Sequence, residues 1–241
     1  MKKFFNIGIL FGLIPLFFGC KSLPIQLSNG SPMAIVTIRS NSYIPWESED
    51  PSEEDDSDSI ITGLVTKVLD SNNPELLTAI DRLDYIDEEI RHVIPEINNC
   101  QIIDKDKVVK SKIYKRLKKS YYNTLVDSKL ATDYKDLTTL GPKNARLLMK
   151  EVGAKSILII DGTFKKKIVN GTRKNGELAG IAFIKFKILN EKGSEVINKV
   201  ITTITEKSLI IEDGIYDKDE FVLEMNTAIN LAIRQFAVMY L

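Results

Sequence analysis

PKNARLLMKEVGAKSILIIDGTF, residues Pro142–Phe164, decides the fold. Pro142 suits the first turn of a helix that runs to Val152, and Gly153 supplies the residue that stops it. Ser156–Thr163 (SILIIDGT) then reads as a strand buried on nearly every side, since apolar β-branched residues follow one another without polar alternation. A helix feeding a buried strand is the building step of a layered α/β sheet.

Working outward, Gly180–Leu189 and Glu195–Thr205 read as strands joined by a turn at Asn190-Glu191-Lys192-Gly193. Ile184, Phe186 and Ile188 alternate with Lys185 and Lys187, so one face of that hairpin is wet. A last helix from about Asp219 carries Phe221, Met225, Ala228, Ala232, Phe236 and Met239 along one stripe. Toward the N-terminus, Met33–Arg39 and Cys100–Ile103 read as strands. Three more helices follow from periodicity. One is capped by Asp58 or Ser59 and runs to Leu69. The next opens at Asn73-Pro74 and ends near Pro95. The third starts after Asp104 or Asp106, with Val108, Val109, Ile113, Leu117 and Tyr121 inward. The expected fold is therefore α/β (or α+β), a mixed sheet of about five strands with helices packed on it.

The N-terminus has a different logic. Lys2 and Lys3 precede an apolar run from Phe4 to Phe18 that closes at Gly19-Cys20, the layout of a bacterial export signal. The run is shorter than the roughly 20 residues a membrane-spanning helix needs. A cysteine directly after a small residue resembles a lipobox, although Phe17 and Phe18 occupy its preceding positions and Leu16 stands one step early. The chain thus divides into a lipoprotein signal peptide over 1–19, a lipid-anchored tether over 20–32 that begins at a lipidated Cys20, and a single α/β domain over 33–241. Inside that domain lie an acidic loop at 47–58, with eight carboxylates, and a helix at 74–94. With Cys20 lipidated, Cys100 stands alone as a small buried residue, and no structural disulfide forms.

Few catalytic signatures are present. His92 is the single histidine, which excludes a histidine metal cluster; HExxH, GxSxG and GxxxxGK[ST] do not occur. The acidic run lacks the spacing and glycine of an EF-hand. Asp81, Asp84 and Asp87 recur at the wet-face period of a helix. Gly171, Gly176 and Gly180 precede a strand rather than a helix, so they read as loop glycines. No enzyme, metal or cofactor is expected. Thirty-three basic residues balance 33 acidic ones, so nothing draws the whole chain to nucleic acid. One positive signal remains: the run Lys105–Lys119, rich in lysine and interleaved with Tyr114. Within it Lys112, Lys115, Arg116 and Lys119 are the candidate partner-binding residues, for an acidic protein face or a lipid headgroup.

Three segments carry a family resemblance. NNCQIIDKDKV (Asn98–Val108), ARLLMKEVGAKSILIIDGTF (Ala145–Phe164) and KFKILNEKGSEVI (Lys185–Ile197) resemble a strand-to-helix junction, a helix-to-strand segment and a hairpin. All three segments are shared by the TolB N-terminal domain, the curli secretion lipoprotein CsgG and the penicillin-binding-protein activator LpoB. The chain departs from that pattern at Lys105 and Lys155, and Pro74–Ile94 looks inserted. The resemblance implies an envelope lipoprotein, membrane-anchored and non-enzymatic, whose domain binds another envelope protein, with a homo-oligomer as a further option. Alternatives are a curli-type channel subunit and a surface adhesin or ligand-binding lipoprotein. A channel needs two long membrane-crossing hairpins, and the stretches 121–141 and 171–176 read as too polar or too short for them. Lys21 after the cysteine favours the outer over the inner membrane, on its periplasmic face or at the cell surface.

Overall fold

A computed structural model describes residues 31–47, 79–120 and 128–241. The signal-like stretch, Cys20, nearly all of the tether, the acidic run beyond Glu47, the helix expected up to Leu69, and Tyr121 lie outside the described residues. The elements are β1 (Met33–Asn41), α1 (Ala79–Asn98), α2 (Lys105–Val109), α3 (Lys112–Arg116), β2 (Ser128–Leu130), α4 (Pro142–Val152), β3 (Ser156–Gly171), β4 (Gly176–Leu189), β5 (Glu195–Ile204), β6 (Leu209–Ile211) and α5 (Lys218–Tyr240).

Among the described residues one six-stranded mixed sheet runs β2-β1-β3-β4-β5, and β6 pairs with the outer end of β4. β1 and β3 are parallel; the other pairs are antiparallel. Helices cover both faces. On one face α1 buries Leu83, Ile86, Ile90, Val93 and Ile94, and α5 buries Phe221, Met225, Ile229, Ile233 and Phe236. Both stripes pack on Ile35, Ile38, Leu158, Ile160, Ile184, Phe186 and Ile188. Phe186 and Phe236 stack at 4.0 Å with their rings 8° from parallel. The other face carries α2, α3 and α4 over Ala34, Val36, Ile157, Ile159 and Leu189, a smaller apolar cluster.

Period two places alternate strand residues in the two clusters, and a bulge in β1 resets it. The register with β3 shifts between Ile35 and Thr37. Thr37 therefore turns its hydroxyl toward the second face, where it donates to the Lys135 carbonyl at 2.9 Å and accepts the Leu137 N–H at 2.9 Å.

Several expectations need correction. Cys100–Ile103 is not a strand: Ile102 makes only an isolated bridge to Met33. The helix after Asp104 breaks in two, because Lys110 closes α2 and Ser111 caps α3, accepting the Tyr114 N–H. α1 continues through Pro95 to Asn98, since a proline in the last turn forfeits one hydrogen bond there and blocks little beyond it. The β3–β4 hairpin is far longer than the reading of 171–176 allows, with arms of 16 and 14 residues. Gly180 lies inside β4, not in a loop. A side chain there would meet the Met225 sulfur at 2.2 Å, so glycine is what lets α5 approach the sheet. Gly171, at φ +78°, does sit at the turn.

Candidate partner-binding surface

Lys112, Lys115 and Arg116 sit on α3, a helix of 5 residues. So short a helix does not hold itself together, because nucleation costs more than one turn of hydrogen bonds returns. Its ends are tied by side chains from elsewhere. At the N-terminus the Glu151 carboxylate, from α4, accepts the N–H groups of Lys112 at 2.9 Å and Ile113 at 2.8 Å. At the C-terminus the Lys135 ammonium donates to the carbonyls of Tyr114 at 3.1 Å and Lys115 at 2.8 Å. Anion at the start and cation at the end both match the helix dipole. Beneath them Tyr114 is buried, its hydroxyl donating to the Val36 carbonyl at 3.0 Å and accepting the Lys135 N–H at 2.7 Å.

These ties leave their mark on titration. The Ile113 N–H, then that of Lys112, hold the Glu151 carboxyl below the usual carboxylate range. Desolvation, then the charge of Lys119, push the Lys135 ammonium down. Burial drives the Tyr114 phenol up.

With its inner face fixed, α3 presents Lys112, Lys115 and Arg116 to solvent at the i, i+3, i+4 spacing of one helix face. Lys118 and Lys119 follow in the extended stretch after α3. The structure adds three cations that the sequence reading missed: Lys143, Arg146 and Lys150, exposed on α4 beside α3. Their outward period was visible in the sequence, but the contact that brings α4 to α3 was not. Along 111–120 and α4 together, eight exposed cations face a single carboxylate, Glu151, which is engaged with backbone.

Between these elements lies a cleft of about 430 Å³. Ile113, Leu117, Leu137, Leu140 and Leu147 give it an apolar floor, and Arg116 and Lys118 stand on its rim. Ser120 and Thr139 close one wall, their hydroxyls 2.8 Å apart. α4 starts at this wall from Gly141, which brings no side-chain cap.

Other basic residues of the run serve the fold. Lys105 pairs with Asp87 at 3.5 Å and lies over the Tyr134 ring, and Lys110 pairs with Asp106 at 2.6 Å. On the remote hairpin, Lys166 is buried with its ammonium 5.1 Å from the Trp46 ring centre, and Lys167 pairs with Glu47 at 3.3 Å. His92 is exposed on α1. Cys100 is buried, its thiol pushed up to about 11 by desolvation. Among the described residues no group of three or more His, Cys, Asp or Glu is placed to hold a metal ion, and no helix is long and apolar enough to cross a membrane.

No protein-family model matches the chain. No curated protein matches it. Solved structures that align with it include the LpoB C-terminal domain from Salmonella enterica, at TM-score 0.30 and 10% identity over 72% of this chain and 82% of that one. A hypothetical protein from Chlamydia trachomatis aligns at TM-score 0.31 and 7% identity, covering 73% of each chain. A homologue of neuraminyllactose-binding hemagglutinin from Helicobacter pylori aligns at 0.30 and 8% identity, over 87% of this chain and 80% of that one. Likeness at that level carries no argument about what this chain does.

Proposed function

We propose that the chain is an exported, lipid-anchored protein of the bacterial cell envelope. Its α/β unit binds an acidic face of another envelope protein through the cationic surface of α3 and α4, without catalysing a reaction. One observation carries the binding half of this reading: eight exposed cations against one engaged carboxylate, along α4, the stretch after α3, and α3 itself, whose two ends are tied by side chains. A surface so unbalanced on a neutral chain attracts anionic partners and repels cationic ones. The anchoring half rests on the Lys2-Lys3, apolar run, Gly19-Cys20 pattern, with Lys21 favouring the outer membrane.

The anchor is tested by intact mass and detergent partitioning of the chain made in a two-membrane host, beside Cys20→Ala. Wild type gains the mass of a diacylglyceryl group and an acyl chain and enters the detergent phase; the variant does neither. Two unlipidated, soluble products would make this a free periplasmic or secreted protein. The surface is tested by crosslinking in the same cells. Reversing Lys112, Lys115, Arg116 and Lys119 to Glu should abolish the principal crosslink and its salt dependence. An unchanged crosslink removes the surface from consideration.

A further inference from the structure

The cationic rim explains attraction but not the apolar floor beneath it. Leu147 is 43% exposed and faces the cleft beside Leu140 and Leu117, an unusual use of aliphatic side chains on so charged a surface. The cleft is recessed between α3 and α4, with a volume in the range of sites that enclose a ligand group rather than merely touch one. Two cations, Arg116 and Lys118, stand on its rim, and Asn144 and Leu147 are what α4 contributes to the lining.

We infer that this cleft takes an acidic linear segment of a partner protein that inserts one apolar side chain between its carboxylates. The inference rests on the protein-binding reading above and deepens it. Charge complementarity selects an anionic occupant. The floor selects one that carries an apolar group within a residue or two of its charges. The recess selects a segment that enters over a planar headgroup surface, which would meet the convex lysines and leave the floor empty. Carboxylates next to the inserted side chain reach Arg116 and Lys118, and the apolar anchor supplies the specificity that charge alone lacks.

The chain itself supplies a control peptide. Its run Glu47–Asp58 (ESEDPSEEDDSD) is acidic and has no apolar side chain except Pro51. Fluorescent copies of this peptide, with Pro51→Phe and with Pro51→Ala, would be titrated by anisotropy into the full-length Cys20→Ala chain in detergent at fixed salt. The Phe peptide should bind about tenfold tighter than the Ala peptide, as burial of one aromatic anchor implies. Leu147→Ser in the protein should erase that difference and leave the weak Ala-peptide binding as it was. Arg116→Glu with Lys118→Glu should weaken both peptides. Equal binding of the two peptides, still lost on charge reversal, overturns the anchored-segment inference and leaves the acidic-partner reading standing. No peptide binding, together with capture by vesicles of 30% phosphatidylglycerol in phosphatidylcholine, overturns both. Binding of neither peptides nor vesicles overturns the inference as well.

Discussion

The two faces of the sheet are covered by different means. On one, α1 and α5, of 20 and 23 residues, lay long apolar stripes against the strands and seal a core with stacked Phe186 and Phe236. On the other, α2 and α3 have 5 residues each and α4 has 11, and much of the holding is polar. Thr37 and Tyr114 grip the chain at 135–137, and Glu151 and Lys135 clamp α3. Arg39 reaches Asp136 at 3.3 Å and Asp161 at 2.5 Å. A stripe-packed helix spends its side chains on the core. A helix held by its backbone ends keeps them free, and the cationic surface lies on that second layer. One network that ties the layers runs through Asp87 on α1, which accepts from Arg91 and from the Tyr134 hydroxyl, each at 2.9 Å, while Arg91 donates to the Ile103 carbonyl at 2.8 Å.

If that contrast is right, the largest loss of stability comes from the first layer. Phe236→Ala removes a fully buried ring from a stack and should cost about 3–5 kcal/mol in urea unfolding, the usual range for emptying an aromatic site. A loss under about 1 kcal/mol would mean that this layer is not held by packing. The second layer should lose less. Tyr114→Phe keeps the ring and deletes only the hydroxyl, stranding the Val36 carbonyl and the Lys135 N–H; about 1–3 kcal/mol is expected. Amide exchange in this variant should speed up along α3 and 135–137 while α5 stays protected. Uniform acceleration would break the distinction between the faces.

What was readable in the sequence follows the same division. The helix Pro142–Val152 with Gly153 at φ +77°, the β4–β5 hairpin and the stripe of α5 were legible because local chemistry and period specify them. The outer half of the β3–β4 hairpin was not. The expected strand stops at Thr163, before Lys165–Lys167; Tyr43 and Trp46 arrive from far upstream to lie against Lys166 in the longer β3. β2 and β6 have 3 residues each, too few to show alternation. The break at Ser111 was present as a capping residue, but the apolar period ran across it. Five of the eight cations of that surface were visible as a lysine run. The other three, on α4, join it where α3 and α4 pack in one apolar cluster and Glu151 reaches 39 residues back along the chain to Lys112, contacts no local pattern encodes.

The smallest effect should come from that contact, and pH sets its sign. Glu151 has its carboxyl depressed in the folded chain by the Ile113 and Lys112 N–H groups, so the tie is complete at neutral pH and above the ordinary glutamate range near 4.3. It is lost as pH falls through the lowered folded value, when the carboxyl takes a proton and no longer faces the helix N-terminus as an anion. The Lys112 and Ile113 amide shifts should therefore titrate together, with a midpoint more acid than that of an ordinary glutamate. Glu151→Gln should flatten both curves at every pH. Because Glu151 is exposed, global unfolding should barely move, while exchange of those two amides rises. Peptide binding should weaken only slightly: the variant keeps all eight cations and loosens the frame that aims three of them. A midpoint at or above the ordinary range would show that α3 does not depend on this clamp and is held by Lys135 and Tyr114 instead.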